Sequence, residues 1–491
     1  MPSSHSVGRL AALLVVASAC VHNPPSIEGG PGAPAQPNVF WTPPPGVAAQ
    51  AARTTPLTGP VLVPTALGRM TLAQIVDLAL RNNPATRLSW AQARSAASEY
   101  GASRGQLFPT LTLDGSVSRS RSVAIAGRPA GERTQYGPSL GLSYLVLDFG
   151  GRAGSIDFSR QTAIAADLSH NATVQNTILQ VESALFNYLA TRALRDAERV
   201  AVEEATASLN AAEERRRVGL ATIADVLQAR TARSQAQLAL ESLEGGVLVA
   251  QGGLAVAMGL PANASFEVPS LPDAPPADSL RFIAQSVDTL LALAARARPD
   301  LAAARAQAAT AAAEVRVARS ALMPSISLNA NGGYTGSNNS TFQGQTYTLA
   351  LGFDLPVFSG FSRQYQLQSA SDRLAAASAQ ADLTRQQIAL QVFTAYYNLQ
   401  TATDRVRTAA DLLASATESE SVARGRYREG VGSIVDLLIA QSALADARAQ
   451  EVQVRWQWRG ALAQLAHDVG VLGIRGEALA PLGADSTRDA R

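Results

Sequence analysis

Hydrophobic positions along this chain follow two periods, and the switch between them occurs twice. Over residues 85–108 and 300–323 the spacing is helical; after Pro109 and again after Pro324 it changes from about 3.6 to 2. Leu111, Leu113 and Val117 alternate with Thr110, Thr112, Asp114, Ser116 and Ser118; after a polar loop, Leu140, Leu142, Tyr144 and Val146 alternate with Ser139, Gly141 and Ser143. The later copy runs the same way. Ile326, Leu328, Ala330 and Tyr334 alternate with Ser325, Ser327, Asn329 and Asn331, and Tyr347, Leu349, Leu351, Phe353 and Leu355 with Thr348, Ala350, Gly352 and Asp354. Each set predicts a β-hairpin about ten residues tall with one apolar and one small polar face, the height of a strand that crosses a bilayer. The intervening stretches, 119–135 and 336–346, carry Gly, Ser, Asn and Arg, as surface turns do.

After each strand pair a Gly-containing turn, Gly150-Gly151 and then Ser359-Gly360, precedes a long stretch without proline, 152–218 and 361–429. Each predicts a helix of roughly 100 Å at 1.5 Å per residue. Apolar residues three and four apart, such as Ile178, Val181, Leu185 and Tyr188, or Val392, Ala395, Leu399, Ala402 and Val406, give a coiled-coil-like seam of mostly small residues. Both helices stop and restart in the same way. Gly219 or Gly430 supplies the positive φ of a helix end; Thr222 or Ser433 can then cap a new helix while Asp225 or Asp436, three residues on, reaches back to the capping N–H. The returning helices, 223–258 and 434–468, are shorter. Laid end to end with the leading helices, they approach the length of the long ones, as in a wall of matched rods.

The two halves are one pattern written twice. Pro84 and Pro299, and Pro109 and Pro324, are each 215 positions apart, while Gly219 and Gly430, and Asp225 and Asp436, are 211 apart. Duplication is the economical explanation. The expected organisation is an export signal (1–19), a Pro/Gly/Ala-rich tether (20–65), repeat 1 (66–260, strand pair 110–149), a connector (261–284), repeat 2 (285–470, strand pair 325–357) and a tail (471–491).

Composition sharpens this picture. Aromatic residues are only 5% of the chain and the hydrophobic fraction is carried largely by Ala, which favours long, closely packed helices over one bulky core. There is no Lys, so a phosphate loop ending in Gly-Lys and Schiff-base chemistry are excluded. A formal charge of +2 gives no reason to expect nucleic acid. Leu10 to Ala19 is an apolar run too short to span a bilayer and closes on Ala17-Ser18-Ala19-Cys20. Two processing routes fit: cleavage after Ala17-x-Ala19, or acylation of Cys20 at a lipobox-like site. The solitary Cys favours the second and rules out a disulfide within the chain. No catalytic or metal constellation is visible, since His170 and His467 stand apart on helices without ligand spacing.

The strands could form a small soluble sheet. Tyr136, Phe149, Tyr334, Tyr347 and Phe358 near strand ends favour a membrane sheet with aromatic girdles. Four strands cannot close a barrel, and open edges in lipid would leave backbone groups unpaired, so strands from other copies must complete the ring.

Over about 72–469 the chain resembles the TolC-like outer membrane factor family, on the duplicated Gly-x-x-[Ser/Thr]-x-x-Asp hairpins, the two strand pairs, and Tyr427-x-x-Gly430. The resemblance implies a mainly α fold with membrane β: a homotrimeric, twelve-stranded outer membrane barrel continued by a long periplasmic helical barrel. It implies a passive exit duct, without cofactor or catalysis, that serves an inner-membrane pump through a periplasmic adaptor. The competing expectation is a structural coiled-coil envelope protein that does not conduct. The resemblance implies an entrance gate at Asp436, Asp225 and Tyr427, and an adaptor-docking tip at Gly219, Leu220, Thr222, Gly430, Val431 and Ser433. Helix capping and helix stopping account for the Asp, Thr, Ser and Gly positions without any partner. Arg215, Arg216 and Arg217, like Arg424, Arg426 and Arg428, suit the negative end of a helix, and adaptor docking at the tip is the alternative expectation for them. Gly432 and Ile439 stand where the family carries an Arg and a second acidic ring residue, so apolar contact is expected to replace part of the ionic closure. If Cys20 is acylated, the chain resembles the lipoprotein branch of that family.

Overall fold

In chain order the elements are α1 (Leu72–Asn82), α2 (Pro84–Arg104), β1 (Thr110–Arg121), β2 (Glu132–Leu147), α3 (Gly151–Arg217), α4 (Ile223–Ala257), α5 (Val287–Ala297), α6 (Pro299–Ser320), β3 (Ser325–Ser337), β4 (Gly344–Asp354), α7 (Ser362–Arg428) and α8 (Ile434–Val469). The structure, a computed structural model, describes residues 71–121, 132–268, 286–338 and 343–472. The expected export signal, Cys20 and the tether lie outside the described residues, as do parts of the strand loops, most of the connector and most of the tail.

Each repeat begins with a helix divided at a proline, a break that the periodicity alone does not mark. Asn83 is extended and its side chain accepts from Ala85 N at 2.8 Å, starting α2 with Pro84 at the first position, where a missing N–H costs nothing. Arg298 holds the equivalent place before Pro299 but makes no cap. It is buried instead among Asp300, Gln391 and Asp468. Gly259 and Gly470 end the return helices with φ of 74° and 84°; a Cβ on either would strike the Asn82–Asn83 or Ala297–Arg298 backbone. The same close approach is therefore built at both ends of the duplicated unit.

The strands form one antiparallel sheet in the order β1-β2-β3-β4. Its register keeps the two faces chemically distinct. Leu113 is opposite Leu140, Leu142 opposite Ala330, and Leu328 opposite Leu351, all on the apolar face. On the other face Asp114 is opposite Ser139, and the Ser143 hydroxyl donates to Asn329 Oδ1 at 3.0 Å. Leu113, Val117, Leu349 and Leu351 are 71–79% exposed, so among the described residues nothing covers this part of the apolar face. Tyr136 closes over Gly336, where a Cβ would come within 2.6 Å of its ring. Both turns from sheet to helix use left-handed backbone: Phe149 and Gly150 before α3, Gly360 and Phe361 before α7.

Helices α3 and α7 have 67 residues each, about 100 Å at 1.5 Å per residue. No described helix is long and apolar enough to cross a membrane. Helix α3 packs against α4, α6, α2 and α8, and α7 against α8, α6 and α5. The largest described apolar cluster in repeat 2 joins Leu290, Leu301, Ile388, Val392, Leu399, Leu465 and Val469, with Trp458 and Tyr396 against its edge. Toward the hairpin tips the contacts shrink to Ala212 with Val226 and Ala229, and Ala416 with Leu444 and Ala447. Alanines allow close helix approach, which is why so Ala-rich a sequence can build such long pairs.

Candidate functional site: the helical tips

Both hairpins are made by the same local device. In the first, Leu220 N donates to Arg215 O at 2.7 Å and Gly219 N to Arg216 O at 3.0 Å, with Gly219 at φ 79°. In the second, Val431 N donates to Arg426 O at 2.9 Å and Gly430 N to Tyr427 O at 3.1 Å, with Gly430 at φ 80°. These are Schellman-type ends, and glycine serves because its φ is positive. A capping box follows each. Thr222 Oγ1 accepts from Asp225 N at 3.2 Å while Asp225 Oδ2 accepts from Thr222 N at 2.7 Å. Ser433 Oγ and Asp436 exchange the same bonds at 3.1 and 3.3 Å. Asp225 and Asp436 therefore each complete a helix start.

The structure brings the two tips together through Arg215, a last-turn residue for which the sequence suggests helix-end stabilisation or adaptor docking but no contact with the second hairpin. The Arg215 guanidinium lies 4.3 Å from the centre of the Tyr427 ring, and its Nη2 donates to Arg428 O at 2.8 Å. One side chain of the first hairpin thus stacks on an aromatic ring of the second and satisfies a carbonyl at the end of its long helix. Tyr427 is packed with Ile434 and Leu437, and its hydroxyl is buried without a hydrogen-bond partner. Burial raises the Tyr427 pKa; the Arg215 charge opposes that rise and the Asp225 charge adds to it. Within the chain no hydrogen bond joins Tyr427 to Asp225.

Farther from the tip, a second set of polar contacts fastens the α7–α8 hairpin to α3. Arg448 makes a two-pronged contact with Glu204, at 3.0 and 3.2 Å. Ser208 donates to Gln441 at 3.0 Å, and Arg424 lies 3.8 Å from Glu204. Residues so far apart in sequence carry no local signal of this contact. A cleft of about 460 Å³ lies between α3, α7 and α8, lined by Glu204, Ser208, Arg215, Arg424, Tyr427 and Gln441 among others.

The outermost residues are apolar and uncovered. Leu220 is 74% and Val431 68% exposed, and Ile439, one turn into α8, is 64% exposed. At Gly432 a Cβ would lie 3.0 Å from the Arg426 Cβ and 3.3 Å from its backbone, so the turn is wound too tightly there for a larger residue to fit without a shift. Among the described residues no group of three or more His, Cys, Asp and Glu could hold a metal ion.

The family model described as outer membrane efflux protein matches residues 75–260 and 290–471, one segment for each repeat. The chain is 30% identical over 414 residues to Protein CyaE of Bordetella pertussis, covering 83% of this chain and 85% of that protein. It is 26% identical over 383 residues to the probable efflux pump outer membrane protein TtgC of Pseudomonas putida, covering 77% and 78%. In fold it matches the crystal structure of the outer membrane protein VceC of Vibrio cholerae with a TM-score of 0.72 at 21% identity, covering 81% of this chain and 96% of that one. The family match displaces the expectation of a non-conducting coiled-coil protein. The chain belongs to the outer membrane efflux protein family, and it is an outer membrane channel for efflux that extends into the periplasm.

Proposed function

We propose that three copies of this chain assemble into a passive exit duct, a twelve-stranded barrel in the outer membrane continued by a tunnel of helices. The observation that carries this reading is the sheet. Four strands with an uncovered apolar face and two free edges are unstable in lipid alone, and β1 and β4, at 12 and 11 residues, match well enough to pair between copies. The polar face, mostly Ser, Thr, Asn and Gly with Asp114 and Asp354 among them, then lines the pore. Such a wall selects loosely, by width and charge, and the duct performs no catalytic step and uses no cofactor.

The hairpin tips form the periplasmic entrance. Asp436 from each copy places three carboxylates around the axis, and these draw cations and hold the entrance under mutual repulsion. Tyr427 acts there through its ring against Arg215, and Asp225 through the cap and its nearby charge. The exposed tip, Gly219, Leu220 and Thr222 with Gly430, Val431 and Ser433, docks a periplasmic adaptor that couples the duct to an inner-membrane pump. Cys20 carries the lipid that anchors the N-terminus to the outer membrane.

Native mass spectrometry of the detergent-solubilised protein tests the assembly. A mass of three chains, with an acyl increment that disappears in Cys20→Ser, is expected; a monomer from folded protein would overturn the shared barrel.

A further inference from the structure

The outer end of the sheet carries charge on a face that is otherwise apolar. β1 leads away from the helices, and its apolar face presents Leu111, Leu113, Gly115 and Val117, followed by Arg119 and Arg121. Val117 is opposite Tyr136. At the same end Tyr334 and Tyr347 stand on β3 and β4, opposite Gln345 and Gly332. Arg119 lies one step beyond this tyrosine belt, opposite Thr134, and Arg121 one step farther, opposite Glu132. Arg119 pairs with Glu132, yet its side chain remains 71% exposed, and Arg121 is exposed too.

An aromatic belt marks the boundary between hydrocarbon and headgroups. The layer just outside it is where the phosphates of a membrane lipid lie. A guanidinium is always charged and presents paired donors that match two phosphate oxygens. Among the described residues two guanidinia against one carboxylate give this corner net positive charge, continuous with an apolar surface suited to acyl chains. The second repeat has no cation at the matching positions, which hold Tyr334, Gly336 and Gln345. Among the described residues the positive charge on this face is therefore carried by β1, an edge strand.

We propose that Arg119 and Arg121 form a binding site for the phosphates of a phosphorylated glycolipid of the outer leaflet, one site per chain at the seam between neighbouring copies. The site rests on the barrel reading given above. A lipid held there bridges the strand edge that each copy shares with the next.

The test is titration of the delipidated full-length protein in detergent with bisphosphorylated lipid A and with its dephosphorylated counterpart, bound lipid being counted by native mass spectrometry. The wild type is expected to favour the phosphorylated lipid by roughly tenfold. Arg119→Gln/Arg121→Gln is expected to lose that preference. Arg121→Gln alone, which leaves the Arg119–Glu132 pair in place, is expected to lose part of it. Inorganic phosphate at matched concentration is expected to leave lipid binding unchanged. Equal binding of the two lipids by the wild type, a preference retained by the double variant, or full competition by inorganic phosphate would overturn the proposal. Channel conductance of the wild type reports on the barrel separately: conductance without lipid preference removes the lipid site alone, and folded protein without conductance removes the barrel beneath it.

Discussion

Arg215 and Tyr427 are the point at which the two hairpins touch through side chains at the tip, the guanidinium stacked 4.3 Å from the ring centre and bonded to the next carbonyl, that of Arg428. The ring, not the hydroxyl, carries this contact, because the hydroxyl has no partner. Tyr427→Phe is therefore expected to leave the tip as closed as in the wild type. Arg215→Met, which keeps an apolar stem but removes charge and donors, is expected to loosen it. Limited trypsin digestion checks this: cleavage at Arg217 and Arg428 should accelerate several-fold in Arg215→Met and remain unchanged in Tyr427→Phe.

Arg298 is 6% and Asp468 4% exposed, and their 3.4 Å pair stands where the first repeat has the neutral Asn83. Removing one member leaves a buried charge uncompensated, so Arg298→Ala is expected to cost about 3–5 kcal/mol. Arg298→Met with Asp468→Leu should recover much of that loss. Denaturant midpoints of the two variants compare the effects.

Glu182 is 3% exposed, and burial raises its carboxyl from 4.5 to about 7. The acid is protonated in both folded and unfolded states below pH 4.5 and ionised in both above 7. The cost of keeping a buried carboxylate thus appears as pH rises through that window, reaching about 3 kcal/mol. Glu182→Gln is expected to melt with the wild type at pH 4 and above it at pH 8. Identical melting curves at both pH values would show that Glu182 contributes no such penalty.

The capping boxes make a smaller prediction. Thr222→Ala or Ser433→Ala removes one side-chain bond to a helix start and is expected to cost about 1 kcal/mol. Thermal unfolding followed by circular dichroism should show a modest, similar decrease for each.

What could be read from the sequence was local. Gly219 with Thr222 and Asp225, and Gly430 with Ser433 and Asp436, announce a helix stop and start within seven residues, and the alternation from Leu111 to Val117 announces its strand. The contacts that position the tips are not local. Arg448 reaches Glu204 across 244 positions, and Arg215 reaches Arg428 across 213. An arginine near a helix end suits the helix dipole whether or not it has another partner, so Arg215 looked like any other basic residue of a last turn. Arg298 was hidden for a related reason. In the repeat it occupies the place of a capping Asn, and only the folded chain brings Asp468 and Gln391 to it.

If the Arg215–Tyr427 contact holds the tip of a conducting duct inward, removing it should widen the entrance. Single-channel recording of the purified protein in planar bilayers, comparing wild type with Arg215→Ala/Tyr427→Ala, tests it most directly. Small, infrequent steps in the wild type and larger, longer ones in the variant are predicted. Steps of equal, large size in both would remove the contact as the closing element, and no steps from folded protein inserted in the membrane would contradict the duct itself.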